Sequence, residues 1–199
     1  DVHGRKTCLP GRMTFESRRP EVSSMTAWAR ANGYRVVDDF ADPGLHFEGS
    51  GDAVWHPGRR LLWGGYGWRT DPQVYHGIAE ELGVPVIALA LTDSTFYHLD
   101  TCFVALDERT VLVHAPAISV EGMEMVRRVF ARVVEVDAEE ARRFACNATL
   151  LAPGVVALDR RASSTASRLR ELGFNVVELD TGEFLKSGGS AYCMKNAFF

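Results

Sequence analysis

The sequence predicts an α/β fold in which a strand–strand–helix–strand unit recurs along the chain. Helical stretches repeatedly end at a glycine that is followed by a short β-branched strand, as expected where a helix stops in the left-handed conformation. Such junctions occupy residues 33–37, 83–87 and 173–177, and a fourth strand over 131–136 lacks the glycine. About four units at a spacing of roughly 40 residues are typical of a closed array, so we expect a propeller of ββαβ modules.

The strands before each of the later helices are predicted to pair as hairpins, because two β-rich runs are joined there by turn residues. Asp71 precedes Pro72 and is expected to cap its helix, since proline is favoured at the first helical position. The hairpins are expected over residues 53–55 and 61–63, 101–106 and 110–114, and 147–152 and 155–158, and the helices over 71–82, 120–130 and 163–172.

The composition indicates one folded domain over residues 1–199, because 46% of the chain is hydrophobic. The net charge of -4, without a basic stripe, argues against a nucleic-acid partner. No apolar run reaches the length of a membrane span, so we expect no membrane partner. The four cysteines show no C-x-x-C spacing, and we therefore expect no metal site. Free thiols so widely spaced indicate a reducing compartment, which predicts a cytoplasmic protein.

Three segments place polar or small residues inside strand-like sequence, and the first spans residues 47–52. It holds three small residues between Glu48 and Asp52, so its backbone can approach a ligand closely. Taken alone, this segment is better explained as a surface turn.

The second segment spans residues 96–102. If it is extended, alternate residues face the same side, and His98 and Asp100 would point together. A histidine–carboxylate pair is suited to proton transfer and to holding a cation. A structural histidine beside a solvated aspartate explains the pattern about equally well.

The third segment spans residues 183–193, where Gly188 and Gly189 lead into a predicted strand that carries Cys193. An isolated cysteine is usually inert core filling. A loop so rich in small residues instead favours a thiol that lines a site. Together the three segments supply a nucleophile, an acid–base group and two carboxylates for a cation.

These segments resemble those of the guanidino-group-modifying superfamily, which includes amidinotransferases, arginine deiminases and dimethylarginine dimethylaminohydrolase-like proteins. The matching stretches are FEGSGDAVW, FYHLDTCFVAL, FACN and EFLKSGGSAYC. The resemblance implies a pseudo-fivefold ββαβ propeller, the pentein fold, with a central site and no cofactor. It implies that Cys193 attacks the guanidinium carbon, and that His98 protonates the departing amine and then activates water. Glu48 and Asp100 would bind guanidinium nitrogens.

The same resemblance implies further substrate-binding residues. Arg69, and either Arg18 or Arg19, match positions for the substrate's carboxylate, for which an arginine fork is suited. Asp52 and Asn147 also match the family, and a structural role for Asn147 stays open.

Several functions are compatible with this resemblance. The first is hydrolysis of arginine or an N-methylated arginine to citrulline. The alternatives are an arginine dihydrolase that releases ornithine, an amidinotransferase, and a truncated, catalytically silent homologue that binds a partner. The chain starts where the second blade of the family starts, so about four of five modules and an N-terminally incomplete catalytic domain are expected. Exposed flanks of such a domain would favour instability, impaired activity and self-association as a homo-oligomer.

Overall fold

The computed structural model describes residues 6–195, and its first elements form a small parallel pair of strands joined through a helix. Strands β1 (Thr7–Cys8) and β2 (Arg35–Val36) are connected by α1 (Arg19–Ala31). The helix directs Thr26 and Ala29 inward and carries Pro20 in its first turn, where a missing N–H costs no helical hydrogen bond. This pair corresponds to the last two strands of the repeated unit.

Three complete ββαβ units follow, and each folds into its own three-stranded sheet. The middle strand pairs antiparallel with the first strand and parallel with the third, which returns through a helix. The first unit contains β3 (Ala53–Trp55), β4 (Leu62–Tyr66), α2 (Val74–Leu82) and β5 (Val86–Ala90). The second contains β6 (Phe103–Ala105), β7 (Thr110–Val113), α3 (Val120–Val129) and β8 (Arg132–Glu135). After a short helix α4 (Ala138–Arg142), the third contains β9 (Thr149–Ala152), β10 (Val155–Asp159), α5 (Ser163–Glu171) and β11 (Asn175–Leu179), and α6 (Gly182–Leu185) follows it.

The predicted α/β fold with recurring ββαβ units is therefore confirmed, while the predicted cap of α2 is wrong. The helix begins at Val74, and the carboxylate of Asp71 instead accepts a hydrogen bond from the backbone N–H of His46 at 2.7 Å. The Asp71 side chain thus ties the loop before β3 to the start of α2. Such a contact between distant residues leaves no local signal in the sequence.

The larger of the two hydrophobic cores among residues 6–195 contains residues of all three complete units. Trp63 of β4 stacks on Phe130 at a ring-centroid distance of 5.3 Å and lies 5.2 Å from the ring of Phe103. The indole N–H of Trp63 donates to Nδ1 of buried His56, so the polar edge of the ring is satisfied inside the core. Packing of this kind fixes the units against each other and holds the segments before their first strands in place.

Corresponding positions of the units converge on one region. Glu48 precedes a single 3₁₀ turn, Gly49–Gly51, that leads into β3, and His98 precedes a second turn, Leu99–Thr101, before β6. Asn147 lies just before β9. No helix between residues 6 and 195 is both long enough and apolar enough to cross a membrane.

Candidate active site

One threonine links Glu48 and Asp52, the two buried acidic residues in the segment before β3. The hydroxyl of Thr70 accepts a hydrogen bond from the backbone N–H of Glu48 at 3.1 Å and donates to Asp52 at 2.7 Å. The other oxygen of Asp52 accepts from the backbone N–H of Leu99 at 2.9 Å. Gly49 adopts φ +67°, which only glycine takes without strain. Asp52 therefore links the segment before β3 to the segment before β6.

His98 forms a charged pair with Glu48. Its Nε2 donates to Oε2 of Glu48 at 3.0 Å and lies 3.9 Å from Asp52. Burial works to lower the pKa of His98, but the hydrogen bond to Glu48 and the neighbouring carboxylates outweigh it, so the pKa is raised. Burial works to raise the pKa of Glu48, whereas His98, the backbone N–H of Thr14 and the charge of Arg69 lower it to about 2. An imidazolium–carboxylate pair is thus favoured.

The extended conformation predicted for residues 98–100 is wrong. Only His98 is extended, and Leu99–Thr101 form a turn in which the backbone N–H of Thr101 donates to the carbonyl of His98 at 3.1 Å. The Asp52 carboxylate holds the N–H of Leu99 and so stabilises this turn. His98 and Asp100 nevertheless interact, because the negative charge of Asp100 contributes to the raised pKa of His98.

Asp100 faces Cys193 from a buried position. The Sγ of Cys193 lies 3.6 Å from Oδ2 of Asp100, and Asp100 is only 4% exposed. Its Oδ1 is buried and has no hydrogen-bond partner within the described part of the chain. Burial raises the pKa of Asp100 to about 7. A buried carboxylate oxygen without a donor is costly unless a ligand supplies one.

Cys193 lies on a turn after α6, so the predicted strand is wrong. The segment does not enter a sheet, because the backbone N–H of Tyr192 donates to the carbonyl of Asn147 at 2.9 Å and that of Cys193 donates to the Asn147 side chain at 3.2 Å. Cys193 is exposed as a residue, yet packing around its thiol and the charge of Asp100 raise its pKa to about 11. In contrast, Cys102 and Cys146 are fully buried in the core.

A cleft with a volume of about 640 Å³ opens beside Cys193 and extends between α1 and β3. Arg18, Glu48 and Cys193 lie on its wall, whereas His98 and Asp100 do not line it. This volume is in the range of small-molecule sites. Within residues 6–195, no three His, Cys, Asp or Glu side chains are grouped as metal ligands.

The three predicted arginines differ in their contacts with Glu48. Arg69 donates to Oε2 of Glu48 at 2.9 Å, and its guanidinium stacks on the rings of Phe15 and Tyr97 at 4.4 and 4.7 Å from their centroids. Arg18 lies 3.9 Å from Glu48 and forms a shorter ion pair with Glu21. The structure does not bring Arg19 to this cluster, since its Nε donates to the carbonyl of Met13 at 3.4 Å.

Two residues that hold the site together, Thr70 and Tyr97, have no motif of their own in the sequence. Thr70 bridges the backbone N–H of Glu48 and the carboxylate of Asp52, and Tyr97 stacks on Arg69 while its hydroxyl donates to the carbonyl of Gly188. Thr70 follows Arg69 and Tyr97 precedes His98 in the chain. This adjacency to predicted site residues is the one sequence feature that could have indicated them. The contact of Tyr97 with Gly188, which has φ +81°, fixes the glycine-rich loop before Cys193.

Together, the fold and site define a protein of ββαβ units with a cysteine–histidine–carboxylate centre beside an open cleft. Residues 2–199 match the family model described as N,N dimethylarginine dimethylhydrolase, eukaryotic. The chain therefore belongs to the N,N-dimethylarginine dimethylhydrolase family.

Two curated proteins that are similar to this chain are named as different enzymes. The chain is 38% identical over 183 residues to an N(G),N(G)-dimethylarginine dimethylaminohydrolase of Mycobacterium tuberculosis, a match that covers 92% of this chain and 58% of the relative. It is 35% identical over 185 residues to the bifunctional arginine dihydrolase/ornithine cyclodeaminase ArgZ of Synechocystis, covering 92% of this chain and 26% of that protein. The chain thus spans part of the length of each.

Solved structures show the same fold. The N-terminal domain of ArgZ, covalently bonded to a reaction intermediate, superposes with a TM-score of 0.88 at 32% identity, covering 96% of this chain and 71% of that one. A dimethylarginine dimethylaminohydrolase bearing an adduct of S-methyl-L-thiocitrulline gives a TM-score of 0.75 at 20% identity, covering 97% and 72%. The second likeness concerns the fold alone.

Proposed function

We propose that this chain hydrolyses a C–N bond in the guanidinium group of arginine or an N-methylated arginine through a covalent intermediate on Cys193. The observation that carries the proposal is the arrangement of Asp100. One of its oxygens lies 3.6 Å from the thiol, and the other is buried without a partner in the described chain. A guanidinium bound there would supply the missing donor and place its carbon beside the sulfur.

The charge balance of the site favours a cation. Glu48, Asp52 and Asp100 are all buried, at 6%, 0% and 4% exposure. Glu48 is paired with His98 and Arg69, whereas no cationic side chain among residues 6–195 forms a salt bridge with Asp100. A planar guanidinium has several N–H donors and matches carboxylate geometry. We propose that Asp100 is the main carboxylate that binds the guanidinium. Glu48 and Asp52, which both lie within 4 Å of His98, contribute further negative charge to the site.

The chemistry takes two steps. The thiolate of Cys193 adds to the guanidinium carbon, His98 gives its proton to the leaving nitrogen, and the C–N bond breaks to release ammonia or a methylated amine. Neutral His98 then removes a proton from water, the hydroxide adds to the same carbon, and the C–S bond breaks to give citrulline and regenerate the thiolate. A covalent intermediate in the ArgZ domain supports this order for the present chain.

Substrate binding itself would help to ionise the nucleophile. Burial and the negative charge of Asp100 both raise the pKa of Cys193 in the free chain. A guanidinium bound to Asp100 neutralises that charge and adds a positive one next to the sulfur, which favours the thiolate. Arg69 and Arg18 are our candidates for the substrate's carboxylate. Arg19 is not a candidate, because its Nε donates to the carbonyl of Met13.

The first test is product analysis with arginine, monomethylarginine and asymmetric dimethylarginine. We expect citrulline and the matching amine from at least one of them. Ornithine with two equivalents of ammonia from arginine would favour a dihydrolase, in keeping with the 35% identity to ArgZ. A folded chain that releases no product from any of the three would contradict the proposal.

The affinity for arginine should rise with pH through the pKa of Asp100, which burial raises to about 7. Below this value Asp100 is protonated and neutral, so it cannot pair with the cation; above it the carboxylate forms. The dissociation constant should therefore increase by up to about tenfold for each pH unit below 7. Calorimetry on the Cys193→Ser variant from pH 5.5 to 8.5 measures binding without turnover. The matched control adds Asp100→Asn to the Cys193→Ser variant and should bind arginine weakly at every pH. If the affinity of the Cys193→Ser variant for arginine did not change with pH, Asp100 would not be the carboxylate that binds the guanidinium.

Gly51 should be required for the position of His98. A Cβ added at Gly51 would lie 2.8 Å from Nδ1 of His98, so the ring must move. Because a shift of about 1 Å in a catalytic group can cost about a hundredfold, we expect Gly51→Ala to lower kcat by roughly 10- to 100-fold with little change in melting temperature. The control is Gly44→Ala, where the nearest atom to the new Cβ is Asp42 Oδ1 at 3.3 Å in an exposed loop. Equal activities of the two variants would show that the ring can adjust.

Location and assembly also belong to the proposal. All four cysteines are free thiols in the structure, which supports a reducing compartment such as the cytoplasm. Self-association stays a prediction, which sedimentation of the purified chain would check.

A further inference from the structure

We infer that Asn147 is the residue that positions Cys193 and stabilises its thiolate, and that it does not bind substrate. The inference rests on the proposed function only in taking Cys193 as the nucleophile. Asn147 lies two residues before β9 and has no solvent exposure. It therefore reaches the site from the third complete unit, whereas Cys193 comes from the loop after α6.

The side-chain amide of Asn147 is fully used within the protein. Its Nδ2 donates to Sγ of Cys193 at 3.2 Å and to the backbone carbonyl of Asp100 at 3.1 Å. Its Oδ1 accepts from the backbone N–H groups of Ser190 at 2.9 Å and of Cys193 at 3.2 Å. A primary amide has two N–H donors and two acceptor positions, so all four are occupied. No capacity is left for a substrate, which replaces the substrate-binding role expected from the sequence.

These hydrogen bonds position both Asp100 and Cys193. One N–H fixes the backbone of Asp100, and the other fixes the sulfur that faces the Asp100 carboxylate. The oxygen holds the loop at two points, the backbone N–H of Ser190 and that of Cys193 itself. A misplacement of the sulfur relative to the guanidinium carbon would be costly because the reaction depends on their alignment.

The loop is tied down from its other side as well. The hydroxyl of Ser190 lies 2.8 Å from that of Thr181, which donates to buried Asp159 at 2.6 Å. Gly189 packs so closely that a Cβ there would lie 3.0 Å from the Cβ of Cys193. Ser190, Thr181 and Asp159 thus hold the loop, whereas the side chain of Asn147 also contacts the sulfur of Cys193.

The electrostatic effect of Asn147 opposes that of Asp100. A carboxylate beside the sulfur disfavours the thiolate, whereas an N–H directed at the sulfur hydrogen-bonds to the charged form and favours it. Loss of the N–H donor should consequently make Cys193 less reactive. Loss of the Asp100 charge should make it more reactive.

Asn147→Asp separates the two roles, because it has nearly the same shape. Its carboxylate can still accept from the N–H groups of Ser190 and Cys193, but it lacks the Nδ2 donors and carries a negative charge. The readout is the rate of Cys193 alkylation by iodoacetamide in the free chain from pH 7 to 9.5, with the modified peptide quantified by mass spectrometry. This readout needs no turnover, so its failure is distinct from failure of the proposed hydrolase.

We expect Asn147→Asp to slow alkylation of Cys193 by about tenfold or more at every pH in this range, which corresponds to a rise of about one unit in the thiol pKa. Asn147→Ser, which lacks the N–H donors without adding charge, should give a smaller decrease. Asp100→Asn should accelerate alkylation. The control is Thr149→Val, two residues along the chain, because the hydroxyl of Thr149 is buried without a partner in the described structure.

Thr149→Val should alkylate within about twofold of the parent chain, and both Asn147 variants should remain folded by circular dichroism. Parental alkylation rates in a folded Asn147→Asp chain would overturn the inference. Loss of folding in both Asn147 variants would overturn it too, since Asn147 would then serve the fold rather than the thiol.

Discussion

Cys193→Ser should lower kcat/KM for the best guanidino substrate by more than about a thousandfold, because a nucleophile that forms the covalent intermediate cannot be replaced by a far less acidic hydroxyl. The fold should be retained, since the residue lies on an exposed turn and its side chain contributes no packing to the core. Citrulline release, measured with a coupled or colorimetric assay at saturating substrate, checks the expectation.

The matched control is Cys8→Ser, a half-buried thiol on β1 that lines the same cleft but does not belong to the carboxylate cluster. It should keep activity within about twofold of the parent and lose only packing energy. If Cys193→Ser released citrulline at the rate of the parent chain, a covalent mechanism on Cys193 would be excluded. A comparable loss in Cys8→Ser would mean that the assay reports stability rather than nucleophilic attack.

His98→Ala should reduce kcat by roughly two to four orders of magnitude, the usual range for a general acid–base residue. The reason lies in its pairing with Glu48, whose hydrogen bond at 3.0 Å helps to keep the imidazole protonated for the first step. Removal of the ring also leaves the charge of buried Glu48 balanced by Arg69 at 2.9 Å, so the site should stay folded. Steady-state kinetics and thermal melting of the same preparation measure both effects.

His76→Ala provides the control, because His76 lies on the exposed surface of α2 beside Glu80. Its kcat should match that of the parent. A fall of less than about threefold in kcat for His98→Ala would exclude His98 as the proton donor to the leaving nitrogen and transfer that role to another group.

Much of this site could be predicted from the sequence because its residues interrupt strand-like runs. Glu48 and Asp52 flank three small residues, and a glycine pair precedes Cys193, so each segment departs visibly from its surroundings. The units themselves follow from the recurrence of hairpin, helix and strand. Those features are local in the chain, so they indicate which segments to consider but not how the backbone of each segment folds.

The contacts that decide the geometry are not local. The turn at Leu99–Thr101 replaces an extended segment because the Asp52 carboxylate, 47 residues away, accepts the N–H of Leu99. Cys193 lies on a turn rather than a strand because its backbone bonds to Asn147, 46 residues away. Alternation within a short segment cannot reveal such partners, and only the packed units bring them together.

In the proposed mechanism, Cys193 becomes covalently attached to the amidino carbon of the substrate. The most direct measurement is rapid acid quenching of the chain during turnover of arginine, followed by peptide mass spectrometry. We expect a peptide containing Cys193 that is heavier by arginine minus ammonia. This peptide should be absent in Cys193→Ser and enriched at low pH, where general acid–base catalysis of the second step is slowed. Product formation at the parental rate with unmodified Cys193, or the same added mass on Cys8, Cys102 or Cys146, would contradict it.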